Sequence, residues 1–189
     1  MLLPSQLELS GLKNSRVFCV PTSQRGDVYM SISRTNYMND ERMVVEVDAE
    51  KFLQLWRNER FSLYPELNMG TPEIWKADRK FADAEEGFSK GRKNPVPLAK
   101  AYCQSYIKHT PIVKPWLYFF EKIIGHTSEP TPYATFENGV TRTIWLLSFG
   151  AKIFPIECRL SDVELFREFA ATGPDSIKSV SELVPNTVL

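Results

Sequence analysis

The chain is poor in the residues that build the commonest metal and redox sites. Its 189 residues include only three cysteines and two histidines. Cys19, Cys103 and Cys158 are scattered, and no pair has metal-ligand spacing. An odd, dispersed set in a chain of this length argues against a disulfide framework and predicts reduced thiols in the core. His109 and His126 lie far apart in sequence, which argues against a histidine-built zinc site. No G-x-S-x-G elbow, P-loop, G-x-G-x-x-G, H-E-x-x-H or kinase catalytic loop occurs. An excess of one charge is missing too, since 23 Lys+Arg balance 23 Asp+Glu. That excludes a wholesale electrostatic grip on nucleic acid but leaves room for a local basic patch. No stretch approaches the roughly 18 apolar residues of a membrane span. The most apolar run, Trp116–Phe120, is far shorter, and Met1–Gln6 lacks the basic and apolar regions of a secretory signal. A soluble, cytoplasmic protein is the expectation. With 43% hydrophobic residues and no repeat or low-complexity linker, residues 1–189 read as one domain.

The first third reads as short strands followed by a helix. Arg16–Pro21 and Val28–Ser33 are β-rich and flank the polar turn Gln24-Arg25-Gly26-Asp27, which predicts a hairpin. Met43–Val47 is a third β-type run. Asp48 is placed to cap a helix through about Glu59, with Phe52, Leu53 and Trp56 on one face and Val47 and Phe52 as a hydrophobic staple. Thr71-Pro72-Glu73 resembles a helix start. The mixed charges from Lys76 to Lys93 predict a solvated, partly irregular surface segment. Leu98–Ile107 suits a strand, although its spacing also permits a helix. Trp116–Phe120 reads as a buried strand and Gly125–Pro132 as a loop.

The last third is the most legible. Tyr133–Phe136 is a short strand, Thr141–Phe149 a helix stopped by Gly150, and Lys152–Cys158 an apolar strand. Ser161-Asp162-Val163-Glu164 has the pattern of a capping box, stapled by Leu160 and Leu165, for a helix ending at Gly173-Pro174.

One segment points to chemistry. In Glu137-Asn138-Gly139-Val140-Thr141-Arg142 a strand enters a glycine turn and then a helix, which aims free backbone N–H groups at an anion. Thr141 adds a hydroxyl and Arg142 a forked cation. Glu137 is placed to hold a divalent metal, to orient Arg142 or to act as a base; a plain turn with a surface Glu–Arg pair is the alternative. Lys90-Gly91-Arg92-Lys93-Asn94 is basic and flexible enough to approach a phosphate.

These pieces carry a family resemblance. Gly91-Arg92-Lys93-Asn94-Pro95-Val96-Pro97-Leu98, then Gly139-Val140-Thr141-Arg142, then Gly150-Ala151-Lys152-Ile153-Phe154-Pro155-Ile156 follow the order seen in the ParB/sulfiredoxin superfamily. The whole chain resembles that superfamily's plasmid fertility-inhibition factors. The resemblance implies an α+β single domain, a mixed sheet with flanking helices. Residues 1–60 would form a strand-rich extension ending in a helix, and residues 87–171 the superfamily core. It implies nucleotide phosphate at Asn138, Gly139, Val140, Thr141 and Arg142, with Arg92, Lys93 and Asn94 assisting. Glu137 and Arg142 are then the expected catalytic residues, with Glu137 as the ligand of a Mg²⁺ ion. ATP is the expected nucleotide substrate, and ATPase and DNase activities are implied.

The expected setting is the bacterial cytoplasm, peripheral to the inner membrane beside the secretion channel. There the protein would block DNA in transit (T-DNA or a plasmid strand) through type IV secretion, with secretion or nucleoprotein components as partners. Two departures narrow this. Val140 and Thr141 stand where sulfiredoxins have their catalytic Cys-His, so sulfinic-acid reduction is excluded on this alignment. The two middle arginine-motif residues of ParB proteins are likewise Val140 and Thr141, and no helix-turn-helix region follows. A non-catalytic inhibitor that binds a secretion component is the competing expectation.

Overall fold

A computed structural model describes residues 14–116 and 120–185. Their strands form two sheets. In the smaller, β1 (Ser15–Thr22) and β2 (Gly26–Ser33) make an antiparallel hairpin, and the two-residue β4 (Val96–Pro97) runs parallel to β2. Gly26 takes φ +69°, a left-handed conformation that glycine enters without steric cost, in the predicted polar turn. The larger sheet contains β3 (Arg42–Asp48), β5 (Ala99–Trp116), β6 (Phe120–Asn138), β7 (Ile153–Arg159) and β8 (Ile177–Ser179). Its order is β6-β5-β7-β3-β8, with β5 parallel to β7 and every other pair antiparallel. The fold is thus α+β with mixed sheets, as expected. β3, which the sequence reading assigns to an N-terminal extension, lies between β7 and β8 in this sheet.

Helices cover the larger sheet. The Asp48 side chain accepts hydrogen bonds from the backbone N–H groups of Glu50 and Lys51, both at 3.0 Å, and so starts α1 (Ala49–Arg57) at the expected residue. Phe52 on α1 is fully buried, with its ring centre 5.6 Å from Phe136, 5.7 Å from Phe154 and 6.2 Å from Phe166. Those partners sit on β6, β7 and α6 (Val163–Phe169), so one aromatic ring ties a helix, two strands and a second helix together. A buried side chain of this size contributes about 2–3 kcal/mol. A second aromatic cluster joins α4 (Phe81–Ser89) to α5 (Val140–Ser148), where Phe88 stacks on Trp145 at 4.4 Å.

The expected strand–turn–helix–strand arrangement over residues 133–158 is present in β6, Gly139, α5 and β7. Gly150 follows α5 at φ +76°, as its stop. Several other expectations need correction. The charged stretch 76–93, after α2 (Pro65–Asn68), is more regular than expected: turns remain at 77–80 and at Lys90, but it contains the end of α3 (Pro72–Lys76) and all of α4. Phe81, Ala84 and Phe88 recur at helical spacing and are buried while the charges face water. Gly125–Pro132 is not a loop but part of β6. β6 is an edge strand, and an edge tolerates Pro130 and Pro132 because their missing N–H can face outward. Trp116–Phe120 is not a single strand, since Trp116 ends β5 and pairs with Phe120, which begins β6. Leu117, Tyr118 and Phe119 lie outside the described residues, as does Met1–Gln6.

The capping box at Ser161 does not form. Leu160–Asp162 is a 3₁₀ turn, Asp162 makes no side-chain cap bond, Leu160 is exposed, and α6 ends at Phe169 rather than Gly173. The capping box occurs instead at Ser179 and Glu182, opening α7 (Val180–Leu183). No helix among the described residues is long and apolar enough to cross a membrane.

Candidate functional site

Strand register assembles a cavity that no short motif contains. Lys100 on β5 lies directly opposite Glu157 on β7, and Glu157 also faces Val44 on β3. Arg42, two residues before Val44, is therefore a diagonal neighbour of Glu157 across the sheet. Glu157 is only 6% exposed, and its carboxylate accepts from Arg42 Nε at 2.7 Å, with Lys100 Nζ at 3.8 Å. A buried carboxylate needs such partners, because removing one leaves an uncompensated charge. Arg42 is fully engaged: its Nη1 also donates to the Ser33 carbonyl at 2.9 Å. Lys100 is half-buried and Arg159 is exposed. The Arg159 guanidinium lies 4.6 Å from the Tyr102 ring centre and donates to its hydroxyl at 3.2 Å. Together with Glu137, Cys158, Ser161 and the loop before β3, these residues line a cavity of about 700 Å³.

Glu137 reaches the cavity through a β-bulge. Lys100 pairs with Asn138 and Ala101 with Phe136, so Glu137 is the extra residue on β6. A bulge re-aims a side chain out of the regular alternation. Glu137 is exposed and makes no side-chain hydrogen bond or ion pair among the described residues. Of the residues expected at the site, Glu137 alone is among those lining the cavity.

The neighbouring turn has a different use for its arginine. Arg142 donates to the carbonyls of Pro97 and Leu98, the latter at 3.0 Å, and to Asn138 Oδ1 at 3.3 Å. Burial pushes its pKa downward. Its fork therefore fastens the start of α5 to the β4–β5 junction. Gly139 is indispensable in this arrangement: its φ is +96°, and a Cβ would lie 2.7 Å from the Ala99 backbone. With no side chain on Gly139 to cap the helix, the first-turn N–H groups of Val140, Thr141 and Arg142 have no capping side chain. Arg92, Lys93 and Asn94 are exposed at a separate 3₁₀ turn, Gly91–Lys93, and do not line the cavity.

Sequence reasoning missed Arg42, Lys100, Tyr102, Glu157 and Arg159. The available signal was a single charge, Glu157, inside the otherwise apolar run Ile153–Cys158. Two of the three cysteines behave as expected of core residues, while Cys19 is only partly buried. Cys103 and Cys158 are buried thiols; burial and then the charge of Asp162 raise both pKa values, Cys103 to about 12. Neither is a thiolate nucleophile at neutral pH.

Comparison with known proteins agrees with this fold. Residues 44–171, more than half of the chain, match the family described as Plasmid Fertility inhibition factor. The chain belongs to that family. It is 25% identical over 173 residues to Protein osa of Shigella flexneri, which covers 89% of this chain and 76% of that protein. Its fold is that of the Oncogenic Suppression Activity Protein, a plasmid fertility inhibition factor whose crystal structure as a gold(I) cyanide derivative superimposes with a TM-score of 0.67. That likeness has 22% identity and covers 96% of this chain and 83% of the other. In the fertility inhibition factor described here, the family match includes Lys100, Glu137, Glu157 and Arg159 and begins just after Arg42.

Proposed function

We propose that this fertility inhibition factor blocks DNA transfer through type IV secretion by hydrolysing the transferred DNA, and that it hydrolyses ATP in the same cavity. One observation carries the reading: the exposed Glu137 carboxylate, lifted by its bulge, shares a cavity with two cations, the half-buried Lys100 and the exposed Arg159. Phosphate is common to DNA and ATP, so one cation pair serves both substrates. In the reaction, a water oxygen forms a bond to phosphorus and the bond to the leaving oxygen breaks. Glu137 accepts the water's proton, and the leaving oxygen is reprotonated from solvent. Lys100 and Arg159 balance the charge that builds on the phosphoryl oxygens. Buried Glu157 holds Lys100 in place and is itself neutralised by Arg42. Arg142 and Gly139 position the Glu137 bulge rather than touch phosphate.

A divalent ion would have few protein ligands in this site, where Glu137 and Glu41 are the exposed carboxylates among the lining residues. Among the described residues no group of three or more His, Cys, Asp or Glu side chains comes together. Mg²⁺ is commonly held by one or two carboxylates plus substrate phosphates, a role Glu137 would fill, with Glu41 in the same cavity. Bound there, the ion would polarise a phosphoryl oxygen. The cytoplasm of the donor bacterium, beside the secretion channel, is where such an activity would meet a T-DNA or plasmid strand.

Glu137→Gln should lower cleavage of a single-stranded oligonucleotide and hydrolysis of ATP by about 100-fold or more, with oligonucleotide affinity and melting temperature near wild type. Lys100→Ala should weaken binding of both substrates about tenfold. Cleavage assays with Mg²⁺, fluorescence anisotropy and thermal melts on the same preparations measure all of these. Wild-type rates in Glu137→Gln would remove the cavity as the catalytic site. A second reading, a non-catalytic inhibitor of a secretion component, is favoured by Phe61 and Leu63, 85% and 87% exposed, near the exposed Tyr64 and Met69. Purified protein inert toward DNA and ATP, with Leu63→Ser relieving inhibition in a mating assay, would make that the better account.

A further inference from the structure

The cavity has one wall that hydrolysis of a phosphate does not require. It is built by residues 34–41, between β2 and β3, and by Leu160 after β7. The backbone of this loop is fastened from inside. Asn39, only 6% exposed, donates through Nδ2 to the Thr35 carbonyl at 2.7 Å and accepts through Oδ1 from the Thr35 N–H at 2.9 Å. The Asn39 carbonyl accepts from Ser181 N at 3.2 Å, and the Met38 carbonyl accepts from the N–H groups of both Glu41 and Arg42 at 3.2 Å.

Met38 is held at φ +59°, a left-handed conformation that a side-chain-bearing residue rarely adopts and that persists only where its surroundings enforce it. Yet the fastened loop buries neither of its large side chains. Tyr37 is 71% exposed, Met38 56% and Leu160 54%, and all three line the cavity that Lys100 and Arg159 share. A strained, internally braced turn that holds an aromatic ring and a thioether in water beside two cations has the composition of a stacking platform. Rings of this kind accept any base through its π-face, and polarisable methionine adapts to a planar partner.

We propose that Tyr37, Met38 and Leu160 form a nucleobase-binding wall, so that the cavity takes a base together with its phosphate. This rests on the phosphate reading above and deepens it. A base inside a duplex offers no free face, so the wall selects unpaired bases: single-stranded DNA in preference to duplex, or a free nucleotide. Stacking supplies the affinity, and Lys100 and Arg159 fix the end at which the phosphate lies.

The test uses the full chain and four probes: a labelled oligothymidine strand, an abasic strand of the same length, a duplex, and ATP competed against ribose triphosphate. Wild type should bind the thymidine strand more tightly than the abasic strand or the duplex. Tyr37→Ala should lose about 5- to 100-fold in affinity for the base-bearing strand and leave the abasic strand unchanged. Tyr37→Phe keeps the ring and should bind as wild type. Met38→Gly relieves the left-handed backbone, so it should melt no lower than wild type while still weakening the base-bearing strand. A loss confined to ATP would identify the free nucleotide as the source of the base, and a loss confined to the strand would identify DNA. If Tyr37→Ala and Met38→Gly both keep the wild-type ratio of base-bearing to abasic affinity, the wall does not bind bases, although the phosphate reading stands. If wild type binds neither strand nor ATP, both readings fall.

Discussion

Two buried carboxylates in this protein illustrate opposite solutions to the same cost. Glu157 is charged and compensated, bonded to Arg42 and close to Lys100. Asp162 is 7% exposed and accepts from Ser161 Oγ at 3.3 Å, while its Oδ2 has no hydrogen-bond partner among the described residues. Burial accordingly raises the Asp162 pKa, opposed by hydrogen bonds from Ser161 and the Arg159 backbone and by the Arg159 charge. A carboxyl that holds its proton more tightly when folded makes the fold less stable as pH rises, from about 3.9 in the unfolded chain through the higher folded value. Asp162→Asn removes that ionisation. It should match wild-type stability near pH 3.5 and exceed it above the folded pKa, by up to about 1 kcal/mol at pH 8. Urea denaturation of the two proteins across that range measures the difference, and a constant offset at all pH values would show that Asp162 titrates normally. The same substitution removes the charge that helps raise the Cys103 and Cys158 thiol pKa values, so both should titrate slightly lower.

At the scale of elements, legibility tracked whether periodicity and local chemistry pointed the same way. Asp48, Phe52 and Trp56 agree on one helix, and it is there. Over residues 125–132 turn chemistry pointed to a loop, but a strand paired on one side only does not need every N–H, so Gly125, Pro130 and Pro132 are accommodated. Over 76–93 the charges concealed the Phe81, Ala84, Phe88 stripe. The unforeseen result is a long β5–β6 ribbon. β5 pairs with β7 only at Ala99 and Lys100, so beyond that base the two strands pair only with each other among the described residues. Base contacts come from Asn58 Nδ2 to the Pro132 carbonyl at 3.0 Å, and from Arg60, 5.6 Å from the Tyr106 ring centre. Farther out, Ile107, Ile112, Val113, Ile123 and Ile124 are all 42–58% exposed. A two-stranded ribbon is marginal on its own and adds little to the stability of its host. Replacing residues 108–129 with Asn-Gly, joining the Ile107–Pro130 pair by a tight turn, should therefore change the melting temperature by no more than about 3 °C, equivalent to roughly 1 kcal/mol. A fall of 10 °C or more would mean that the ribbon packs into the fold.

At the scale of the whole molecule, the site was half legible because sequence proximity and spatial proximity coincide at only one of its edges. Glu137 and Gly139 could be read from a strand, a turn and a helix that follow one another. Arg42, Lys100 and Arg159 come from three different strands, and only the register of the larger sheet brings them to one cavity. Arg142, conspicuous in sequence, faces carbonyls that lie 45 and 44 residues earlier and were invisible to spacing. The balanced total charge then takes on a physical meaning. With 23 cationic and 23 acidic side chains there is no net field to gather DNA, so on the proposed reading the electrostatic affinity comes from a local set of cations, those of the cavity. Each phosphate neutralised on a single strand contributes about −0.7 to the slope of log K against log salt. Lys100 and Arg159 together therefore predict a slope of about −1 to −2 for single-stranded DNA. Lys100→Ala and Arg159→Ala should each make it shallower by about 0.7. Anisotropy titrations of one oligonucleotide at several salt concentrations give the three slopes directly. A wild-type slope of about −5 or steeper, unchanged in either variant, would move the DNA contact away from the cavity to another basic surface, with Lys108, Lys114 and Lys122 on the ribbon the first to be substituted.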